Sequence, residues 1–223
     1  MRALRLAALL FLLSAQCVAQ YGEPLSAGVE ALMARALAGD AEAQFRVATA
    51  YDWGEGAPRD GSEALRWYEL SASSGYSEAQ NSLGSSLQAE GKYEQALVWY
   101  ERAAEQDHAL AINNLADLYN LGLGVAQDRS KAYELFLRSA ELGWDEAMWN
   151  IANLYGAGNL GGKQDFFMAC VWASRALSHT ERGSAVFDRA TQSLSYLRSK
   201  LGRNELSDCQ FQSKQWSPTR AAA

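Results

Sequence analysis

Alanines recurring at near-regular intervals restrict this chain more than any other feature. Ala43, Ala79, Ala111 and Ala147 stand 36, 32 and 36 residues apart. Each is followed at +4 by an aliphatic residue (Val47, Leu83, Leu115, Ile151) and at +5 by a small one (Ala48, Gly84, Ala116, Ala152). At +8 stands Tyr51, Leu87, Tyr119 or Tyr155. Positions 0, +4 and +8 share one face of an α-helix, and the small residue beside them lets a neighbouring helix approach closely. A second alanine set, Ala64, Ala96, Ala132 and Ala169, leads three residues later to Trp67, Trp99, Leu135 and Trp172. Aromatic residues at helical spacing fill cores, so Trp67, Trp99 and Trp172 are expected inside.

These are four copies of a helix pair. One pair cannot bury its own apolar stripe, so the copies must stack into a continuous core, with atypical helices closing the two ends. Ser26 is placed to cap a first helix reaching Gly39, and apolar residues at helical intervals between Ser184 and Lys200 predict a helix there. A last short helix is expected over Glu205 to Trp216, with Trp216 folding back onto the fourth copy.

Glycines mark the turns inside the pairs. Gly54-Glu55-Gly56, Gly122-Leu123-Gly124 and Gly156-Ala157-Gly158 each lead to an aspartate (Asp60, Asp128, Asp165) just ahead of the second helix. No strand precedes these glycines and no Gly-Lys-Ser/Thr follows, so they supply positive φ angles rather than a phosphate cradle. The aspartates read as helix N-caps. The second copy is shorter and turns at Gly91-Lys92.

The pattern Ala-x-x-x-Leu-(Gly/Ala)-x-x-Tyr, then Gly-x-Gly, then Asp-x-x-x-Ala-x-x-(Trp/Leu)-(Tyr/Phe), then Ala-x-x-Gly resembles the Sel-one-like repeat, a longer-looped relative of the tetratricopeptide repeat. Asn114, Leu115, Ala116 and Tyr119 carry the likeness well. The resemblance implies an all-α fold, an α/α right-handed superhelical solenoid of four helix-pair repeats with helical caps, acting as a scaffold for protein contacts. The organisation expected is a signal peptide over 1–19, a linker and capping helix over 20–39, repeats over 40–76, 77–108, 109–144 and 145–179, and capping helices and tail over 180–223.

The first residues have the layout of a secretory leader. Arg2 and Arg5 precede the apolar run Leu6 to Leu13, and Cys17-Val18-Ala19 offers small residues where a signal peptidase reads. The run is shorter than the about 20 residues of a membrane span. Cleavage after Ala19 is favoured over lipid attachment at Cys17, because Gln16 stands where a lipobox needs a small residue. The expected location is therefore outside the cytoplasm, in a bacterial periplasm. Loss of Arg2 and Arg5 takes the formal charge from −6 to −8.

In such a compartment Cys170 and Cys209, the cysteines left after the leader, suggest a disulfide; the other reading is two small buried side chains in separate places. An acidic balance with no Lys/Arg cluster excludes a general nucleic-acid binder. His108 and His179 are the only histidines and have no partners at ligand spacing, so no metal or other cofactor is expected. No Ser-His-Asp order, His-Glu-x-x-His or Cys-x-x-Cys appears, and the chain reads as non-enzymatic. Family members linked to β-lactam hydrolysis resemble a pattern with a cysteine pair in every repeat, which is missing here.

By likeness to tetratricopeptide solenoids, the first helices line the concave surface. Pointing away from the alanine stripe there are Phe45, Thr49, Asp52 and Trp53 from the first repeat, and Glu78, Asn81, Ser85 and Gln88 from the second. The third contributes Asn113, Asp117 and Asn120, and the fourth Trp149 and Asn153. Amides to bond a peptide backbone, with aromatic anchors for pockets, suit an extended peptide or an envelope protein. The basic set that grips a terminal carboxylate in some tetratricopeptide proteins is missing, Arg46 alone lying nearby. The alternative partner is a cell-wall glycan, for which Trp, Asn and Asp are also suited.

Overall fold

Most helix starts among the described residues are set by side chains that satisfy the orphan N–H groups of a first turn. In the computed structural model, which describes residues 25–218, Asp40, Asp60, Asp128 and Asp165 each accept from a backbone N–H of the helix they open. Ser26 and Ser184 do the same at the two capping helices, and His108 caps through Nδ1, 3.1 Å from Ala111 N. The described residues form eleven α-helices and no strand, a helical solenoid. The described residues divide into two compact units, one ending at Ala103 and the other beginning at Ala104. The leader expected over 1–19, with Cys17, lies outside the described residues.

The first unit holds α1 (Ala27–Leu37), α2 (Ala41–Trp53), α3 (Gly61–Ser73), α4 (Ser77–Ala89) and all but the last residue of α5 (Tyr93–Ala104). The stripe read from the sequence is the core here: Ala43, Val47, Ala48 and Tyr51 are buried with Ala64 and Trp67, and the cap adds Val29 and Met33. Ala72, Ala79 and Leu83 form a second buried cluster, on which Phe45, Tyr76, Leu87 and Trp99 pack while partly exposed. Trp99 is thus only half-buried, contrary to the core position expected for it. Arg102 lies over its ring at 4.6 Å, so one indole face is covered by a cation rather than a neighbouring helix.

The second unit holds α6 (Ala109–Leu121), α7 (Arg129–Glu141), α8 (Asp145–Ala157), α9 (Phe166–His179), α10 (Ala185–Arg198) and α11 (Arg203–Lys214). Ala111, Leu115, Ala116, Ala147, Ile151 and Ala152 are buried with Leu135, Phe136 and Trp172. α11 is tied to α9 by a disulfide between Cys170 and Cys209, both buried, with Cα atoms 6.1 Å apart. Trp216 returns to α9 as well, 5.5 Å from the Trp172 ring and 5.8 Å from His179. Arg175 lies over both tryptophans, and burial holds its guanidinium below its ordinary pKa. No helix among the described residues is long and apolar enough to cross a membrane.

Bonds within the turns repeat as the sequence does. The N–H groups of Asp60, Asp128 and Asp165 donate to the carbonyls of Tyr51, Tyr119 and Tyr155 at 2.9, 2.9 and 3.0 Å. A cap aspartate therefore ends the turn by pairing with the final stripe residue of the helix before it. Gly54, Gly122 and Gly158 end α2, α6 and α8 in the left-handed region, at φ of 75, 71 and 72°, where an L side chain is strained. Repeats one and three share a serine on the second helix: Ser71 Oγ donates to Ala41 O and Ser139 Oγ to Ala109 O. Repeats two and four have Ala103 and Ala176 at that register.

Candidate interaction surface

The first helices carry a group of residues with no evident packing role in the sequence, and the structure distributes them unevenly. On the first unit, Phe45 is not a free anchor. Its ring packs against Tyr68 at 5.5 Å and Tyr76 at 5.3 Å, joining α2 to α3 and to the start of α4. Tyr68 in turn reaches Asp52 at 3.5 Å. Burial and the Asp52 charge push its phenol up to about 12. Thr49 donates to the carbonyl of Arg46 within its own helix. Asn81 is buried. Tyr100 donates to Gln88 at 2.9 Å, and its hydroxyl lies 3.2 Å from Ser85. Glu78 and Trp53 remain open to solvent, Trp53 with 74% of its surface exposed.

On the second unit the same register builds a connected polar and aromatic face. Asn113, only 2% exposed, accepts from Asn150 Nδ2 at 3.1 Å and donates to Asp117 at 3.4 Å, so α6 and α8 are joined by amides. Asn113 is thus a bridge between helices rather than a free surface group. Asn120 uses its backbone carbonyl to take a bond from Gln127. Asp117 is partly buried, and burial first, then the charge of Glu146, pushes its carboxyl up to about 7. Glu146 pairs with Arg189 of α10 at 2.6 Å. Arg189 also lies over the Trp149 ring, 4.3 Å from its centroid.

Beside that pair opens a groove of about 560 Å³ between α8 and α10. Trp149, Arg189 and Tyr196 line it together with the small residues Ala152, Gly156 and Ala157. Asn153, Gln192 and Ser193 supply its polar edge. The Trp149 indole N–H is buried there with no acceptor among the described residues. Small residues at 152, 156 and 157 leave space that larger side chains would fill, which is why a groove exists at this place. Sequence reasoning placed Trp149 and Asn153 on this face and missed Glu146, Asn150, Arg189 and Tyr196. Arg189 belongs to a capping helix and meets Glu146 across 43 positions of chain, and no local pattern signals such a pairing.

This surface offers shape, amides and charge. Among the described residues no cluster of three or more His, Cys, Asp or Glu is placed to hold a metal ion.

Comparison with known proteins fits this geometry. The protective antigen c5321 of uropathogenic Escherichia coli, described as displaying an SLR fold, is similar over 84% of this chain with a TM-score of 0.75 and 27% identity. This chain spans 40% of the length of that one. A Sel1 repeat protein from Oxalobacter formigenes is similar over 84% of this chain and 78% of its own, with a TM-score of 0.65 and 25% identity. No curated protein matches. The Sel1 repeat model matches residues 41–76, 77–108, 109–144 and 145–179, well over half of the sequence, and the chain therefore belongs to the Sel1-repeat family.

Proposed function

We propose that this protein is an exported repeat scaffold that binds an extended segment of another protein through the face carried by its first helices. Sel1-repeat proteins are in general scaffolds for protein–protein contacts and typically non-catalytic. Export rests on the leader-like start of the sequence and on the buried Cys170–Cys209 disulfide, since such bonds persist in oxidising compartments. A periplasmic location and release after Ala19 belong to the same reading.

The observation that carries the binding role is the groove between α8 and α10. It joins an aromatic wall at Trp149 to amide and hydroxyl groups at Asn153, Gln192 and Ser193. An apolar recess flanked by fixed polar groups takes one side chain of a peptide while bonding its backbone. Asp117, Asn120, Trp149 and Asn153 form the binding surface on this unit, with the buried Asn113 holding Asp117 and Asn150 from beneath. On the other unit the accessible candidates are Trp53, Glu78, Ser85 and Gln88. A photo-crosslinking amino acid at the exposed Asn153, compared with one at the exposed Glu134 on α7, tests the reading in the envelope fraction. Adducts from position 153 that vanish with Trp149→Ala are expected. Adducts from position 134 alone would reject the groove.

A further inference from the structure

The charges around the groove do not balance. The charge of Glu146 on α8 acts on Asp117 of α6, but the nearby guanidinium of Arg189 is already committed to Glu146 at 2.6 Å. Asp117 has one long bond, 3.4 Å from Asn113 Nδ2, and that amide side chain is shared with Asn150. A partly buried carboxylate with no cation against it among the described residues bears the cost of lost hydration without return. Its carboxyl is pushed up to about 7, which reflects the same deficit. The groove adjoins this place through Arg189 and Trp149, and its lining is mainly apolar.

We propose that the occupant of this face is a basic peptide segment, which sets a lysine or arginine against Asp117 and an apolar side chain in the groove beside Trp149. The inference rests on the peptide-groove reading above and adds the charge of the ligand. A cation at Asp117 brings this group to two acids and two bases, contributed by α6, α8, α10 and the peptide. An acidic segment would instead set a third negative charge beside Asp117 and Glu146, and a neutral one would leave Asp117 uncompensated. The formal charge of −6 over the whole chain favours the same class of partner during encounter.

The test is selection of random linear peptides displayed on phage against the purified full-length protein, followed by fluorescence anisotropy with a fluorescein-labelled synthetic copy of the most enriched peptide. Enrichment of Lys or Arg is expected. Replacing that residue by norleucine should weaken binding about tenfold, Asp117→Asn should weaken the original peptide by a similar factor, and the two changes together should add little more. Peptides enriched without a basic residue, or a basic peptide bound equally well by D117N, would overturn the charge assignment while leaving a Trp149-dependent groove in place. Failure to enrich any peptide, or binding unchanged in W149A, would overturn the groove reading and this inference together. Matching helicity of D117N and wild type by circular dichroism separates lost recognition from lost fold.

Discussion

Gly84 of α4 lies against the ring of Tyr100 of α5, so closely that a Cβ on Gly84 would stand 2.7 Å from Tyr100 Cε1. Tyr100 is 1% exposed and its hydroxyl is bonded at the far end, so the ring cannot move aside. In an open helix, replacing glycine by alanine gains about 1 kcal/mol. Here the added methyl must displace a packed aromatic ring, and overpacking of that kind costs about 1–3 kcal/mol. Gly84→Ala is therefore expected to destabilise the protein on balance, by up to about 2 kcal/mol in urea unfolding. A gain in stability would show that α4 and α5 are not so tightly apposed.

Two tryptophans at the same register separate core from margin. Trp67 is 6% exposed, whereas Trp99 packs from the edge of its cluster beneath Arg102. Trp67→Ala should cost about 3–5 kcal/mol, as for large side chains removed from a core. Trp99→Ala should cost about half as much. Chemical denaturation of the two variants beside wild type measures the difference, and equal losses would contradict the partial exposure of Trp99.

The Cys170–Cys209 bond closes a loop of 39 residues that includes α10. Chain entropy makes such a closure worth about 3–4 kcal/mol. The double variant with serine at both positions should lose an amount of that order, and its melting temperature should no longer respond to dithiothreitol. Mass mapping of unreduced peptides from exported protein should recover the two cysteines in one linked fragment.

Asp117 gives folding a pH dependence with a defined sign. Its folded carboxyl titrates at about 7, above the ordinary value of 3.8, so the folded chain holds the proton more tightly than the unfolded chain does. The resulting stability is complete below about pH 4 and is lost as pH rises through about 7. A tenfold change in proton affinity corresponds to about 1.4 kcal/mol, and solvent screening of this partly exposed group holds the whole effect to a few kcal/mol. Asp117→Asn should melt higher than wild type at about pH 8 and close to it at about pH 4. A flat difference across that range would place the titration elsewhere.

The order of amino acids alone was enough to specify repeat length, helix pairing, turn glycines and aspartate caps. Each of these depends on contacts within a few residues or on a period written into the chain. Asp60, Asp128 and Asp165 cap the helices beside them, and the stripes from Ala43 and Ala111 face inward because helical geometry leaves no other side for them. Tertiary packing decided what the remaining face became. Asn113 faces away from the alanine stripe in sequence, yet α8 covers it, because its amide can bond Asn150 there. Phe45 lost its freedom to Tyr68 and Tyr76, whose approach depends on how α2 and α3 cross. Arg189 came to Glu146 and Trp149 from a helix that looked like a mere end cap. Burial and charge pairing depend on distances between atoms far apart along the chain, and periodicity carries no record of them.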